Sequence, residues 1–341
     1  MIHGEANMSD GSDAFDISRR RLLGFAAAAP LIPSSWSVGA LAEEAYPAKT
    51  INVVSPFPPA TGADVVARYF ADQLAKRLGK TVIVENKVGA DGLIGTQAVA
   101  LAKADGHTIL VGPGQSLLAV TPNLLKSVPF DPVKDFQSIT TLLGLQMMLA
   151  VSATSPYKTV AELTASLKAK GDKASFASFN NSGLVCSELY RSAFSLNAVE
   201  VKYRDPSTAL NDIKSGSIDF MHVSAGFAAG WVSAGHVRVL ATSSARRSSA
   251  FPDVPSAKEV GIPGDVESWF SAHVPAHTPT PVVDKLEAVF NDIVGSQATK
   301  DFFAPQGMDP LPGNRRTLDE LLARDLKVWA EYIKLARIEK K

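Results

Sequence analysis

Two hydrophobic patterns alternate along the chain from residue 50 onwards. Short runs rich in β-branched residues, of which residues 50–57 are the first, predict buried strands. Longer stretches with apolar residues three and four apart, such as residues 64–78, predict helices, and Gly79 is a typical helix stop. The first five elements alternate strand and helix, which predicts a parallel sheet with right-handed crossovers.

The alternation repeats in the middle of the chain and gives way to helices at the end. Residues 146–151 and 174–179 predict strands, residues 186–196 and 318–335 predict helices, and a predicted strand at 268–274 precedes the helical tail. The layout indicates an α/β protein with two lobes, each a mostly parallel sheet flanked by helices, and a hinge. We expect residues 46–148 and 267–341 in lobe 1, and residues 149–266 in lobe 2.

The first 42 residues have the three parts of an export signal. Basic residues at 19–21 precede an apolar run at 24–32, and Ala40-Leu41-Ala42 has the small-x-small pattern of a cleavage site. The paired arginines favour the twin-arginine route. We therefore expect residues 1–42 to be a signal peptide, cleaved near Ala42, and the mature protein to be periplasmic.

Charge and cysteine content limit the kinds of partner and site that the chain can have. Lys and Arg total 34 and Asp and Glu total 34, so the net charge is +0 and nucleic acid is not an expected partner. Cys186 is the single cysteine, which excludes an intrachain disulfide and a cysteine-rich metal site. An anion site in such a chain has to be local, built from backbone N–H groups, helix N-termini or a few side chains.

The loop after the first predicted strand is the first candidate binding segment. It leads into a helix whose expected N-cap is Asp64, and such a helix start suits a carboxylate. A plain turn before a capped helix is the alternative. The candidate ligand-binding residues here are Phe57, Pro59, Ala60, Thr61, Gly62, Ala63 and Asp64.

Two further loops carry polar side chains at strand ends. Ser116 lies in a Gly-rich loop, and Phe179, Asn180 and Asn181 precede a helix, where they either contact a polar ligand or cap the helix. Catalytic signatures are missing from the sequence, which has neither G-x-S-x-G nor H-E-x-x-H. The histidines share no motif, and Cys186 is expected to be a small core residue. No cofactor or metal is expected.

Motifs spread along the mature chain resemble one family, the substrate-binding proteins of tripartite tricarboxylate transporters, or Bug family. The resemblance runs from about Tyr46 to the C-terminus. The motifs that carry it are Tyr46-Pro47-Ala48-Lys49, Pro56-Phe57-Pro58-Pro59 with Asp64, Val84-Glu85-Asn86-Lys87, Gly89-Ala90-Asp91-Gly92, Asp105-Gly106-His107-Thr108, Pro129-Phe130-Asp131-Pro132, Phe251-Pro252-Asp253-Val254-Pro255 and Val274-Pro275-Ala276-His277-Thr278-Pro279.

The resemblance implies a periplasmic-binding-protein fold of type 2 and carboxylate binding through backbone N–H groups of loops from both lobes. Tyr203 is expected to orient the ligand, and Asp205 is a further candidate ligand-binding residue. The sequence departs from the family at four places: Ala60-Thr61 replace Gly-Gly, Ser178-Phe179-Asn180-Asn181 replace Gly-x-Gly-Ser/Thr, Leu184 replaces His, and Tyr203-Arg204-Asp205 replace Tyr-Lys-Gly. The added side chains are expected to change the shape of the cleft, and any of these positions that needs positive φ is expected to be strained.

The leading hypothesis is a monomeric receptor that closes on a small organic anion, a carboxylate, and delivers it to the membrane components of a tripartite transporter. One alternative is a ligand-sensing receptor with a signalling partner. The other is an exported hydrolase, which requires a nucleophile and a base together in the cleft.

Overall fold

The computed structural model describes residues 46–203 and 206–340; the predicted signal peptide and Asp205 lie outside these ranges. The described strands are β1 (Ile51–Ser55), β2 (Val82–Asn86), β3 (Thr108–Gly112), β4 (Phe136–Ser152), β5 (Ser175–Ser178), β6 (Val199–Lys202), β7 (Phe220–Ser224), β8 (Val237–Thr242), β9 (Glu267–Pro275) and β10 (Met308–Pro310). The described α-helices are α1 (Gly62–Leu78), α2 (Leu93–Ala100), α3 (Thr121–Leu124), α4 (Val160–Lys170), α5 (Asn181–Ala193), α6 (Pro206–Ser215), α7 (Ala225–Ser233), α8 (Thr280–Gly295), α9 (Gln297–Phe303) and α10 (Arg315–Leu335).

Helix α1 shows how local sequence sets an element. Its predicted apolar stripe is buried at Val66, Phe70 and Leu74, and Gly79 ends it with φ 62. The N-cap is Thr61, whose hydroxyl accepts a hydrogen bond from the backbone N–H of Asp64. The prediction that Asp64 is the N-cap is therefore wrong, because the N-cap lies three residues earlier and the helix begins at Gly62.

Strand β4 is much longer than the predicted strand at 146–151. It runs for 17 residues, and all but two of them are buried. Its first half was missed because buried polar residues, among them Ser138, Thr140 and Thr141, interrupt the apolar run by which sequence reveals a buried strand. The predicted boundary between the two lobes, after residue 148, falls inside this strand.

The sheet is mixed. Strands β2-β1-β3 pair in parallel, and so do β6-β5-β7; we call these the first and second parallel groups. Between them, β9 and β4 pair antiparallel with each other and with their outer neighbours, β3 and β7. The predicted parallel pairing thus holds within each group, whereas the central strands are antiparallel. Helices α1 and α5 follow the carboxyl ends of β1 and β5, where ligands bind in α/β proteins.

Separate apolar clusters support the two groups. Phe70 and Phe290 lie in a cluster around the first group, and Phe176, Tyr190 and Phe220 in a cluster around the second. A third cluster joins α5 to β4 and α10 through residues that include Cys186, Met147 and Trp329. Cys186 is buried, which confirms its predicted place in the core. Within residues 46–203 and 206–340, no helix combines the length and apolarity that a membrane crossing requires.

Candidate functional site

A hydrogen-bonded network fixes the loop between β1 and α1. The buried carboxylate of Asp64 accepts from the Ala60 N–H at 2.9 Å, from Arg68 Nε at 2.9 Å and from Asn86 Nδ2 at 2.7 Å. Asn86 Nδ2 also donates to the Phe57 carbonyl at 2.9 Å. Burial by itself raises the pKa of Asp64, but the hydrogen bonds from Arg68, Asn86 and Ala60 outweigh it and hold the pKa below its usual value. Asp64 is therefore an ionised anchor of the loop.

The network decides which backbone donors of this loop face outward. The Ala60 N–H is engaged by Asp64, and the Thr61 N–H points to the Pro58 carbonyl at 3.4 Å. The N–H groups of Gly62 and Ala63 make no hydrogen bond to any residue that the structure describes. Gly62 is exposed and Ala63 half-buried. The first turn of α1 thus presents two unpaired donors at the positive end of the helix dipole.

The two residues that replace glycines in this loop behave differently. Ala60 has φ 65, in the left-handed region that favours glycine, so the expectation of strain applies to it. Thr61 has φ −76, which any residue adopts, and its hydroxyl caps α1. One replacement therefore costs backbone energy, and the other contributes a cap.

The loop between β5 and α5 has the same design. Asn180 is the N-cap of α5, and its Oδ1 accepts from the Gly183 N–H at 2.7 Å. The N–H groups of Asn181 and Ser182 have no partner among the described residues. Asn181 is exposed and Ser182 half-buried, so this helix also begins with two outward-facing donors.

A cavity of about 850 Å³ lies beside the start of α5. Of the predicted site residues, it brings together Phe179, Asn180, Asn181 and Tyr203. The Tyr203 hydroxyl donates to Asp212 at 2.6 Å, and burial together with that carboxylate raises the pKa of Tyr203 to about 12. Tyr203 thus contributes a neutral side chain to the cavity lining, and its hydroxyl hydrogen is already donated to Asp212.

The other predicted residues are not in this cavity. None of the predicted residues at the start of α1 lines it: Phe57, Pro59, Ala60 and Thr61 lie in the β1–α1 loop, and Gly62, Ala63 and Asp64 form the first turn of α1. Ser116 is exposed on a π-helix that spans Gln115–Val120, where the sequence predicted a loop. Asp205 lies outside the described residues.

A methionine lies near the start of each of the two helices. A Cβ placed on Gly62 would lie 4.0 Å from Cε of Met308, on β10, and one placed on Gly183 would lie 3.5 Å from Cε of Met147, on β4. The two methionines belong to paired strands, since Met308 is opposite Leu145 in the β10–β4 ladder, two residues before Met147.

Sequence reasoning missed the structural partners of Asp64. Asn86 belongs to a motif that carries the family resemblance, but its distance from Asp64 along the chain says nothing about a contact. The signal that points to Asn86 is the parallel pairing of β1 and β2, which sets Ser55 opposite Asn86 and so brings Asn86 beside the β1–α1 loop. Arg68 lies four residues after Asp64 on α1, a spacing that brings side chains together on a helix.

Two serine–histidine pairs were also unforeseen. Ser187 Oγ lies 2.9 Å from Nδ1 of His222, and Ser271 Oγ lies 2.8 Å from Nε2 of His273. All four residues are buried, and burial lowers the pKa of each histidine to about 3. A catalytic serine has to reach its substrate, so neither buried pair forms the cleft dyad that a hydrolase requires. In the part of the chain that the structure describes, His, Cys, Asp and Glu form no cluster suited to a metal ion.

Comparisons with known proteins agree with the fold and the sequence motifs. The family described as "Tripartite tricarboxylate transporter family receptor" matches residues 66–337. A UPF0065 protein of Bordetella bronchiseptica is 32% identical over 89% of this chain and 90% of its own length. Among solved structures, the periplasmic binding protein BugD is 30% identical with a TM-score of 0.67, covering 87% of this chain and 100% of BugD.

A further solved structure contains a ligand. MatC of Rhodopseudomonas palustris, with bound malate, is 26% identical with a TM-score of 0.65, and the match covers 84% of this chain and 100% of MatC. The predicted α/β fold of a periplasmic solute-binding protein is confirmed. This chain belongs to the tripartite tricarboxylate transporter receptor family, a family of periplasmic solute-binding receptors.

Proposed function

We propose that this protein is a periplasmic receptor that binds a small organic carboxylate between the starts of α1 and α5 and delivers it to the membrane components of a tripartite transporter. The observation that carries the proposal is the matched geometry of the two helix starts. Each leaves two backbone N–H groups without a partner in the described chain, at Gly62 and Ala63 and at Asn181 and Ser182. Paired donors at a positive helix end suit a carboxylate.

The arrangement also supports a two-lobed division, with the first parallel group in lobe 1 and the second in lobe 2. Strand β4 runs from the side of the first parallel group to the side of the second, and each group has its own apolar cluster. Ligand binding then draws the two helix starts together, because neither start alone can surround the anion. Malate in MatC, a relative with the same fold, is a ligand of the proposed class.

The proposal also includes that the protein is exported and that it acts as a receptor without catalysis. The basic, apolar and small-residue parts of residues 1–42 favour twin-arginine export and cleavage near Ala42, which leaves a periplasmic monomer. The two Ser–His pairs are buried, where a substrate cannot reach the serine hydroxyls, which argues against hydrolysis.

A thermal-shift panel tests the carboxylate. Mono-, di-, tri- and aromatic carboxylates are compared with their uncharged amides on the mature protein. A ligand at about 100 times its Kd stabilises the folded state by about 2.7 kcal/mol, so at least one acid is expected to raise Tm while its amide does not. A folded protein whose melting responds to none of the acids contradicts the proposal.

A further inference from the structure

The residues that follow α10 form part of the wall of the cavity beside α5. Residues 336–340 line this cavity together with the polar loop that contains Asn180 and Asn181. Trp329 and Ile333 of α10 share an apolar cluster with Val185 and Leu189 of α5, which holds the end of the chain in place. The cavity wall therefore contains a segment far in sequence from the predicted site.

Arg337 occupies a backbone position that normally favours glycine. Helix α10 ends in a Schellman motif: the Ile338 N–H bonds to the Ile333 carbonyl at 3.0 Å, and the Arg337 N–H to the Lys334 carbonyl at 3.2 Å. In this motif the residue after the C-cap takes a left-handed conformation, and Arg337 has φ 52. Ile338 packs against apolar residues on both sides, which holds Arg337 in this conformation. The left-handed conformation costs backbone energy, yet Arg337 and not glycine occupies the position. We infer that its long cationic side chain has a function.

The charges of the cavity indicate what that use is. Two of its carboxylates are paired with cations: Glu188 accepts two hydrogen bonds from Arg191, at 3.0 and 2.7 Å, and Glu200 lies 3.8 Å from Lys202. The third, Glu339, is exposed. Arg337 is exposed, lines the same cavity, and has no carboxylate within 4.0 Å among the residues that the structure describes. A guanidinium in this position is available to an anion that enters the cavity.

We propose that Arg337 is a specificity-determining residue, whose guanidinium pairs with a second carboxylate of a ligand that is held at the start of α5. The inference rests on the proposed function and extends it by naming dicarboxylates as the favoured class. The planar guanidinium donates two parallel hydrogen bonds to a carboxylate, whereas it gains much less from a neutral amide. Preference for a dicarboxylate over its mono-amide therefore depends on Arg337.

The test compares Arg337→Gly with the wild type by calorimetric titration. Malonate, succinate, glutarate and adipate are the probes, each paired with its mono-amide. Glycine fits the left-handed position better than arginine, so Arg337→Gly is expected to raise Tm. The Kd of Arg337→Gly for the dicarboxylate that the wild type binds is expected to rise about tenfold or more, because a hydrogen bond between charged groups is strong. The Kd for the mono-amide is expected to change little. A residue with a purely structural role would not change Tm and affinity in these opposite directions.

Two further variants make the comparison specific. Arg337→Lys retains the charge and is expected to recover part of the affinity for the dicarboxylate. Lys334→Ala removes an exposed cation from the same helix end, outside the cavity lining, and is expected to bind as the wild type does. If the wild type binds a dicarboxylate and Arg337→Gly binds it within about twofold, this inference is wrong while the proposed function stands. If the folded wild type binds no carboxylate at all, both are wrong.

Discussion

Asn86 Nδ2 lies 2.7 Å from Oδ1 of Asp64 and 2.9 Å from the carbonyl oxygen of Phe57, so one amide group ties the first turn of α1 to the loop before it. Asn86 Oδ1 in turn accepts from Nη2 of Arg68 at 2.9 Å. This network positions the N–H groups of Gly62 and Ala63 without using either of them.

Removal of Asn86 is therefore expected to weaken both the fold and the binding site. Asn86→Ala leaves the Phe57 carbonyl and one Asp64 oxygen without their donor, which costs about 1–3 kcal/mol of unfolding free energy, and ligand affinity falls because the loop is no longer held. Urea unfolding and calorimetric titration measure the two effects.

Asn123→Ala is the matched control for this change. Asn123 also donates two hydrogen bonds, to the carbonyls of Ala119 and Leu326, both at 2.9 Å, but it lies outside both binding loops. We expect a similar loss of stability and an unchanged Kd. An Asn86→Ala protein that loses stability yet binds carboxylates normally would show that the network has no role in the site.

Ala60→Gly is expected to stabilise the protein. A left-handed conformation costs an L-residue about 1–2 kcal/mol, and glycine's extra freedom in the unfolded chain offsets part of the gain, which leaves up to about 1 kcal/mol. Ala63→Gly, in the first turn of α1, serves as the control and should destabilise by about 0.5–1 kcal/mol. Urea unfolding measures the change in unfolding free energy for each variant. If both variants were stabilised or both destabilised, the assignment of strain to Ala60 would be wrong.

The contact between Gly307 and α7 has no room for a side chain. Gly307 has φ +65, and a Cβ there would lie 2.4 Å from the backbone nitrogen of Gly226. Gly307→Ala therefore combines a backbone penalty with a clash against backbone, and it should cost about 2 kcal/mol or more. Gly261→Ala isolates the first effect, since Gly261 has φ +76 and nothing within 4 Å. If the two variants lose equal stability by urea unfolding, the packing of α7 against this segment is not as described.

The buried histidines predict a loss of stability in acid. The pKa values of His222 and His273 are about 3 in the folded protein, because burial disfavours the charged ring, against 6.5 when exposed. The unfolded chain therefore binds more protons between these values, and unfolding free energy falls as the pH drops below 6.5. Each histidine should contribute about 1 kcal/mol of this loss between pH 7 and pH 5.5.

Glutamine substitutions identify the source of the pH dependence. His222→Gln and His273→Gln replace a titrating ring by a neutral amide, so each variant should lose stability less steeply between pH 7 and pH 5.5. Urea unfolding at a series of pH values measures the slope. Slopes identical to that of the wild type would mean that other groups cause the acid sensitivity.

Sequence patterns identified the helices and the short apolar strands better than the long central strand β4. The apolar stripe of α1 and its stop at Gly79 were foreseen, whereas the first half of β4 was missed because buried polar residues such as Ser138, Thr140 and Thr141 interrupt its apolar run. The antiparallel course of β9 and β4 was missed because strand direction depends on contacts distant in sequence.

For the candidate site, the sequence indicated the loops but not which of their atoms are free to bind a ligand. Sequence placed Ala60 and Asn180 in loops at helix starts, but the Ala60 N–H is used by Asp64 and the Asn180 Oδ1 by Gly183. Donor availability depends on these local bonds, which residue type alone does not reveal. Arg337 was missed because it enters the cavity wall from the other end of the chain.

Proline substitution at the first residue of each helix tests the central claim most directly. Proline removes one N–H and suits this position, and the residues before it, Thr61 (φ −76, ψ 160) and Asn180 (φ −153, ψ 164), already have the extended backbone that proline requires. Gly62→Pro and Asn181→Pro are compared with Gly62→Ala and Asn181→Ala, which keep the N–H. Gln297→Pro makes the same change at α9, away from the site.

The measurement is the Kd of the best carboxylate by calorimetric titration. Each proline variant of the two candidate helices is expected to bind about tenfold or more weakly than its alanine counterpart, because a hydrogen bond to a charged group contributes about 1.5–3 kcal/mol. Gln297→Pro is expected to bind as the wild type does. Equal affinities of the proline and alanine variants at both helices, in folded proteins, would contradict the claim that these N–H groups hold the ligand.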